Sequence, residues 1–273
     1  METTLFINRL KQLFFRFFWK NKTLTATAKK YQLTFRFNVN DGIGGDIYYK
    51  YGVYAEDYIT SFLLKEIDIQ DKDLILDIGA NIGWYSLVLS YKARPTIYSF
   101  EPEPRNFSFL SENVRINGRT NINPVNAAVD NKPGLMQLHL YKSHNQGRHS
   151  FIRHKKSIGT VDVKTIVVDQ FLRDKGLSDQ PVKFLKIDIE GYEFTALRGA
   201  AETLKRTTHV LSEFSPSIMQ EIQEDPKEYI RFMDSFGFQP YEITPSGIIP
   251  AALDRMMAAG DQVYNIFWSR KSF

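Results

Sequence analysis

Asp77-Ile78-Gly79-Ala80-Asn81-Ile82-Gly83 stands directly behind the apolar run Leu74-Ile75-Leu76. That order is a buried strand breaking into a glycine-rich turn that opens a helix. Such a turn brings backbone N–H groups and a helix N-terminus against a nucleotide-like ligand. A dinucleotide turn needs glycine at positions 79, 81 and 84, and these are Gly79, Asn81 and Trp84. The spacing fits Asp-x-Gly-x-(Gly/Asn)-x-Gly instead, the form of S-adenosyl-L-methionine sites. Asn81 replaces the middle glycine because Asn tolerates left-handed backbone. The next strand ends Ser99-Phe100-Glu101-Pro102, where an α/β cofactor site places the acid that accepts from ribose hydroxyls. Asn126-Ala127-Ala128 closes the strand after it. Its small residues leave room for an adenine ring, with Asn126 or the backbone nearby at the ring edge. The expected cofactor set is therefore Gly79, Ala80, Asn81, Gly83, Glu101, Pro102, Asn126 and Ala128, with Asp77 shaping the turn.

The densest ionisable cluster is Lys186-Ile187-Asp188-Ile189-Glu190-Gly191-Tyr192-Glu193. By strand alternation Lys186, Asp188 and Glu190 share one side of an otherwise apolar strand. Three ionisable groups leaving such a strand are costly unless they serve a site at its carboxyl end. Open α/β sheets bind ligands in that crevice. Asp188 or Glu190 is the candidate general base or substrate-positioning group, and Lys186 its pairing partner or electrostatic stabiliser. A structural ion-pair network is the competing reading. Glu213 ends the following strand and is expected to face Asp188. Two facing carboxylates can hold a divalent cation or raise one another's pKa; the chemistry requires no metal and none is assigned. The five histidines show no metal-ligand spacing. His149, in a polar loop, is the one to test as a base.

These residues need a scaffold that brings strand ends together. From residue 73 onward strand-like and helix-like segments alternate, the pattern of an α/β doubly wound, mostly parallel sheet. Strands are expected at 73–78, 96–100, 122–128, 136–141, 161–168, 182–188, 208–214 and 262–268. Helices are expected at 82–92, 104–117, 192–205 and 226–236. Residues 31–72 form a Tyr-rich cap ending in a helix at about 55–66, and residues 73–273 carry the cofactor domain. The loop 142–160, with His144, Asn145, Gln146, Gly147, Arg148, His149 and Ser150, is long and polar, as loops that bind ligands tend to be.

At 273 residues with 43% hydrophobic and 24% charged side chains, the chain has globular composition and length for a sizeable core. Cys is absent, which excludes disulfides, thiolate metal sites and Cys nucleophiles and permits a cytoplasmic setting. The net charge of +4 is uneven: residues 1–30 hold seven basic side chains against Glu2, and the remainder holds 28 basic against 30 acidic. A basic arm on a nearly neutral body argues against a nucleic-acid surface. Within that arm Phe6, Ile7, Leu10, Leu13, Phe14, Phe17 and Phe18 fall on one helical face and Arg9, Arg16 and Lys20 on another. Such a helix docks on its own domain or a second subunit, or lies peripherally on the inner face of a membrane. Ala26-Thr27-Ala28 has the form of a signal cleavage site, but Arg16 interrupts the apolar segment before it.

Together these motifs resemble the FkbM family of S-adenosyl-L-methionine-dependent methyltransferases. The resemblance rests on residues 77–83, Phe100-Glu101-Pro102, Asn145 to Ser150, Phe184 to Glu193, Leu197-Arg198-Gly199-Ala200 and Glu213, and spans about residues 50 to 215. Tyr192 departs from it, standing where a small residue is commoner. The resemblance implies a Rossmann-like, seven-stranded fold, here with a helical N-terminal extension. It also implies methyl transfer to a hydroxyl of a sugar, glycolipid, polyketide or related metabolite. The alternatives are a nucleotide- or NAD-using enzyme on a related fold and a catalytically silent, membrane-associated binding protein. The oligomeric state and the acceptor are not specified by the sequence.

Overall fold

Leu74, Ile75, Leu76 and Ile78 are all buried in strand β3 (Leu74–Ile78), and a strand apolar on both sides needs cover on both. The computed structural model, which describes residues 22–50, 52–141, 149–152, 157–258 and 260–273, supplies that cover. Leu74, Leu76 and Ile78 enter one core, and Ile75 enters the other. Around β3 runs an eight-stranded sheet in the order β12-β11-β13-β10-β9-β3-β4-β5. Its members are β4 (Thr96–Phe100), β5 (Ile122–Val125), β9 (Val182–Ile187), β10 (Thr207–Phe214), β11 (Gln239–Thr244), β12 (Gly247–Pro250) and β13 (Tyr264–Ser269). Strands β5, β4, β3, β9 and β10 are parallel neighbours, and β13 lies antiparallel between β10 and β11. Seven strands thus form the expected doubly wound sheet, and β12 adds an antiparallel edge. The strand order reverses at β3, so the crevice for a ligand opens there, beyond the carboxyl ends of β3, β4 and β9.

Helices α1 (Asp57–Glu66), α2 (Trp84–Leu89), α3 (Pro104–Ile116), α4 (Val168–Asp174), α5 (Glu193–Arg198), α6 (Ala201–Lys205), α7 (Pro216–Glu221), α8 (Pro226–Ser235) and α9 (Leu253–Ala258) complete the domain. A smaller sheet of β6 (Ala128–Val129), β8 (Ser157–Ile166) and β7 (Gly134–Tyr141) stands beside the cleft. Helix α3 begins as its sequence dictates: Glu103 caps the Asn106 N–H at 2.7 Å, and Pro104 takes the first position, where no N–H is needed.

Several expectations are corrected. Residues 23–38 form a hairpin, β1 (Thr23–Ala28) paired antiparallel with β2 (Leu33–Asn38), so a boundary at residue 30 runs through one folded unit. Ala26-Thr27-Ala28 belongs to that hairpin, with Ala28 fully buried. The expected strand 122–128 breaks at Asn126-Ala127, and the expected helix 192–205 breaks at Gly199-Ala200. At Gly199 a Cβ would lie 2.5 Å from the Asp130 carbonyl oxygen, so the chain passes too close for a side chain. Residues 1–20, with the expected amphipathic helix, lie outside the described residues. No helix among the described residues is long and apolar enough to cross a membrane.

The hairpin is anchored to helices α2 and α3 by aromatic packing and by two side-chain amides. Trp84, fully buried, meets the rings of Tyr31, Phe35 and Tyr54 at centroid distances of 5.8, 5.6 and 5.9 Å, pairs worth about 0.5–1.5 kcal/mol each beyond their buried area. Asn113 and Asn117, one turn apart on and just beyond α3, hydrogen-bond the edge of β2. Asn113 accepts from Arg36 N–H at 2.7 Å and donates to the Arg36 carbonyl at 3.0 Å; Asn117 treats Thr34 likewise at 2.9 and 2.7 Å.

Candidate active site

The turn after β3 takes the left-handed backbone that its residue types predict: Gly79 has φ of 75°, Asn81 of 50° and Gly83 of 92°. Gly79 is required twice over, because a Cβ there would stand 1.9 Å from the Asp188 carbonyl oxygen. The turn's N–H groups are spent within the protein. Those of Gly79 and Ala80 both donate to the Phe100 carbonyl at 3.0 Å, that of Asn81 to Glu101 Oε2 at 2.8 Å, and that of Gly83 to the Ala80 carbonyl at 2.8 Å. The expected cradle of free N–H donors is therefore absent at these four positions. The turn approaches a ligand with close-packed backbone, and the buried Asn81 Oδ1, an acceptor, has no partner among the described residues.

Asp77 lies beneath the turn rather than on the cleft wall. Its Oδ2 accepts from the Ser86 N–H at 3.0 Å and the Ser86 hydroxyl at 2.5 Å, which fixes the start of α2 under β3. Its role is to shape the turn; it is not a lining residue. Asn126 also binds backbone. Its side-chain NH₂ donates to the carbonyls of Glu101 and Pro102 at 2.9 and 3.1 Å, holding that strand exit from behind. Gly83 also sits off the wall, packed against Leu110.

A cleft with about 950 Å³ of empty space, counted out to its mouth, runs along the strand ends. Gly79, Ala80, Asn81, Glu101, Pro102 and Ala128 of the expected cofactor set line it. Glu101 is buried, and its two carboxylate oxygens each accept one backbone N–H, from Asn81 and from Glu103 at 2.9 Å. Burial pushes its pKa up to about 7 against the opposing pull of those two N–H groups. Each oxygen keeps a second lone pair for a ligand donor.

Lys186, Asp188 and Glu190 also line the cleft, Lys186 from β9 and the two acids from the turn beyond it, where Glu190 has φ of 59° and strand alternation no longer applies. The Lys186 ammonium donates to the Gly79 carbonyl at 2.9 Å and stands 3.5 Å from Asp188 Oδ2 and 3.9 Å from Asp77 Oδ1. Burial alone would lower its pKa, but the charges of Asp188, Asp77 and Glu56 outweigh it and raise it. Lys186 thus ties the cofactor turn to the acidic end. Asp188, Glu190 and Glu213 each bring one carboxylate oxygen within 4.8 Å of the others. Burial and then the charges of Asp188, Glu190 and Glu193 drive Glu213 well above the usual carboxylate range. This spacing alone assigns no metal. Glu193 closes the 188–191 turn from inside, accepting from the N–H groups of Ile189 and Gly191 at 2.8 and 3.2 Å.

Two residues at this end were not singled out in the sequence. Glu56 accepts from the Tyr85 hydroxyl at 3.1 Å, and its pKa is raised by burial and by Asp188. The Tyr85 ring in turn faces the Lys186 ammonium at 5.4 Å. Tyr85 follows the glycine turn directly and was findable; Glu56 comes from the distant cap and carried no local signal. His149 also lines the cleft, where the charges of Glu103 and Arg105 act on its ring. Residues Lys142 to Arg148 of the polar loop lie outside the described residues.

A family model described as the methyltransferase FkbM domain matches residues 77–240. The chain belongs to the FkbM methyltransferase family. Among curated relatives, the hexuronic acid methyltransferase AglP of Haloferax volcanii is 26% identical over 179 residues, 66% of this chain and 68% of its own. The 2-O-methyltransferase NoeI of Sinorhizobium fredii is 25% identical over 179 residues, 60% of this chain and 72% of its own. The cofactor of this FkbM methyltransferase is S-adenosyl-L-methionine, and the site fits it. A dinucleotide pyrophosphate needs several free N–H donors at the turn, and here Gly79, Ala80, Asn81 and Gly83 have none to give. What the cleft offers is acceptors and negative charge, at Asn81 Oδ1, Glu101 and Asp188. Those suit a cationic ligand rich in hydroxyl and amino donors.

Proposed function

We propose that this methyltransferase acts on oxygen, methylating a hydroxyl group of a sugar, a glycolipid or a related metabolite. The observation that carries the reading is that Asp188 and Glu190 line the same cleft as Glu101. A hydroxyl must lose a proton as it is alkylated, and a carboxylate within hydrogen-bond reach can take it. S-adenosyl-L-methionine supplies an activated, electrophilic methyl group, so alignment provides most of the rate. Gly79, Ala80, Asn81, Glu101, Pro102 and Ala128 would hold it, with Asp77, Gly83 and Asn126 fixing the backbone around them.

Asp188 is the better candidate base, since its side chain is 38% exposed and so within reach of a bound acceptor. Lys186 keeps Asp188 and the Gly79 carbonyl in register, and Glu190 positions the acceptor. Glu213, behind them, acts through Asp188. The names of the two relatives support a carbohydrate acceptor. The basic, Phe-rich segment 1–20 supports one presented at a membrane surface, such as a lipid-linked glycan.

The test is turnover of labelled S-adenosyl-L-methionine against a panel of methyl hexosides, methyl hexuronides and hydroxylated metabolites. Asp188→Asn is expected to lose at least about 100-fold in rate while binding S-adenosylhomocysteine within about threefold of the parent protein. A fully active Asp188→Asn protein refutes the base assignment, and methylation confined to nitrogen or carbon refutes the reading itself.

A further inference from the structure

His149 belongs to a short segment, His149 to Ile152, that is pinned across the cleft. Ser150 exchanges backbone hydrogen bonds with His139 of β7 at 2.9 and 3.3 Å. The Ser150 hydroxyl donates to the Glu190 carbonyl at 3.1 Å, and the Tyr141 hydroxyl to the Ile152 carbonyl at 2.5 Å. A residue held on three sides has a defined side-chain position, and His149 lines the cleft together with Glu101, Pro102, Asn106 and Ala128. The charges that act on its ring are those of Arg105 and of Glu103, whose N–H binds the Glu101 carboxylate.

The hydrogen bonds of the ring decide what it offers. The backbone N–H of Tyr141 donates to His149 Nδ1 at 3.3 Å. An imidazole nitrogen that accepts carries no proton, so the proton of the neutral ring sits on Nε2. Burial, ahead of the opposing effects of Glu103 and Arg105, lowers the ring's pKa from its ordinary 6.5, which keeps it neutral at pH 7. Among the described residues nothing accepts from Nε2. The neighbouring groups of the cleft, the Glu101 carboxylate above all, present acceptors and so serve ligand donors. A bound nucleoside has both kinds of group: hydroxyls and an amino group that donate, and ring nitrogens that only accept.

We propose that His149 is a nucleoside-binding residue whose Nε2–H donates to an acceptor of the adenosyl group. Glu101 and His149 then divide the nucleoside between them, one taking its hydroxyl donors and the other an acceptor atom. The inference rests on the cofactor reading but not on the acceptor, nor on which residue is the base.

The experiment is titration calorimetry of the full chain with S-adenosylhomocysteine, for the parent protein, His149→Phe and His149→Gln. Phe keeps a flat ring and deletes the donor, whereas Gln keeps an N–H. His149→Phe is expected to bind at least about tenfold more weakly, the loss that one unmade hydrogen bond of about 1.4 kcal/mol produces. His149→Gln should stay within about threefold of the parent. Thermal melting without ligand checks that both variants fold. Binding by His149→Phe within twofold of the parent overturns the proposal, as does a Gln variant as weak as the Phe variant. A parent protein that does not bind S-adenosylhomocysteine at all sinks the cofactor reading instead, so the two failures are told apart.

Discussion

In the role proposed above, Glu101 should make cofactor binding a proton-release reaction. Its carboxyl group is buried and its pKa stands at about 7, raised chiefly by burial, while the N–H groups of Glu103 and Asn81 pull it back. Without ligand, then, Glu101 is protonated in about ten molecules of eleven at pH 6 and in about one of eleven at pH 8. A protonated carboxyl spends one oxygen as a donor and cannot accept from two ligand hydroxyls at once. If the ionised form binds, affinity for S-adenosylhomocysteine falls about tenfold from pH 8 to pH 6, which is about 1.4 kcal/mol. Binding at pH 6 releases about 0.9 proton. The stability of the unliganded fold runs the opposite way. A carboxyl whose folded pKa is raised contributes stability that is complete below its unfolded value near 4.5 and is lost as pH rises through about 7. Calorimetry at the two pH values, each in two buffers of different ionisation enthalpy, measures affinity and proton count together. Glu101→Gln should bind weakly and with no such pH dependence. Equal affinity at pH 6 and pH 8 with no proton released refutes the reasoning.

Two further perturbations follow from the same geometry. Gly79→Ala has to place a Cβ 1.9 Å from the Asp188 carbonyl oxygen at φ of 75°, so urea unfolding should show a loss of at least about 3 kcal/mol; a loss under 1 kcal/mol contradicts the close approach of β3 and β9. Glu213→Gln removes a carboxylate raised by burial and by three neighbouring acids. Its ionisation costs stability only above its unfolded pKa, so the variant should melt higher than the parent at pH 8 and level with it at pH 4. A variant that melts lower at pH 8 shows that the charge is compensated.

Local patterns carried most of the sheet and half of the site. The run 74–78 with its left-handed turn, the Glu103–Pro104 start of α3, and Glu101 at a strand end each follow from a few adjacent residues, and they stand where those residues predict. The alternation Leu33, Phe35, Phe37 was equally legible as a strand, but the tyrosines after it drew the segment into a cap. What stayed hidden is what depends on partners. Asn126 ties the carbonyls of Glu101 and Pro102, and only the hydrogen-bond accounting of those residues reveals it. That the turn's N–H groups are already used is invisible for the same reason. Glu56 reaches Tyr85 and, across nearly half of the chain, the Lys186–Asp188 pair, a juxtaposition that no short spacing encodes.

The side-chain amide of Asn113 does more than satisfy the edge of β2. Its NH₂ also donates to the carbonyl of Ile82 at 2.9 Å, inside the glycine turn itself. One asparagine therefore clamps the N-terminal hairpin to the turn that lines the cleft, and the Val39 N–H reaches back to the Lys22 carbonyl at 2.9 Å to close the hairpin's base. For anyone trimming this protein, the block from residue 77 that the family model matches is thus held from outside by residues that precede it. Cutting before it would strip the amide of two of its three hydrogen bonds and loosen the turn from outside, so protein engineering of the leading arm has to stop short of residue 22.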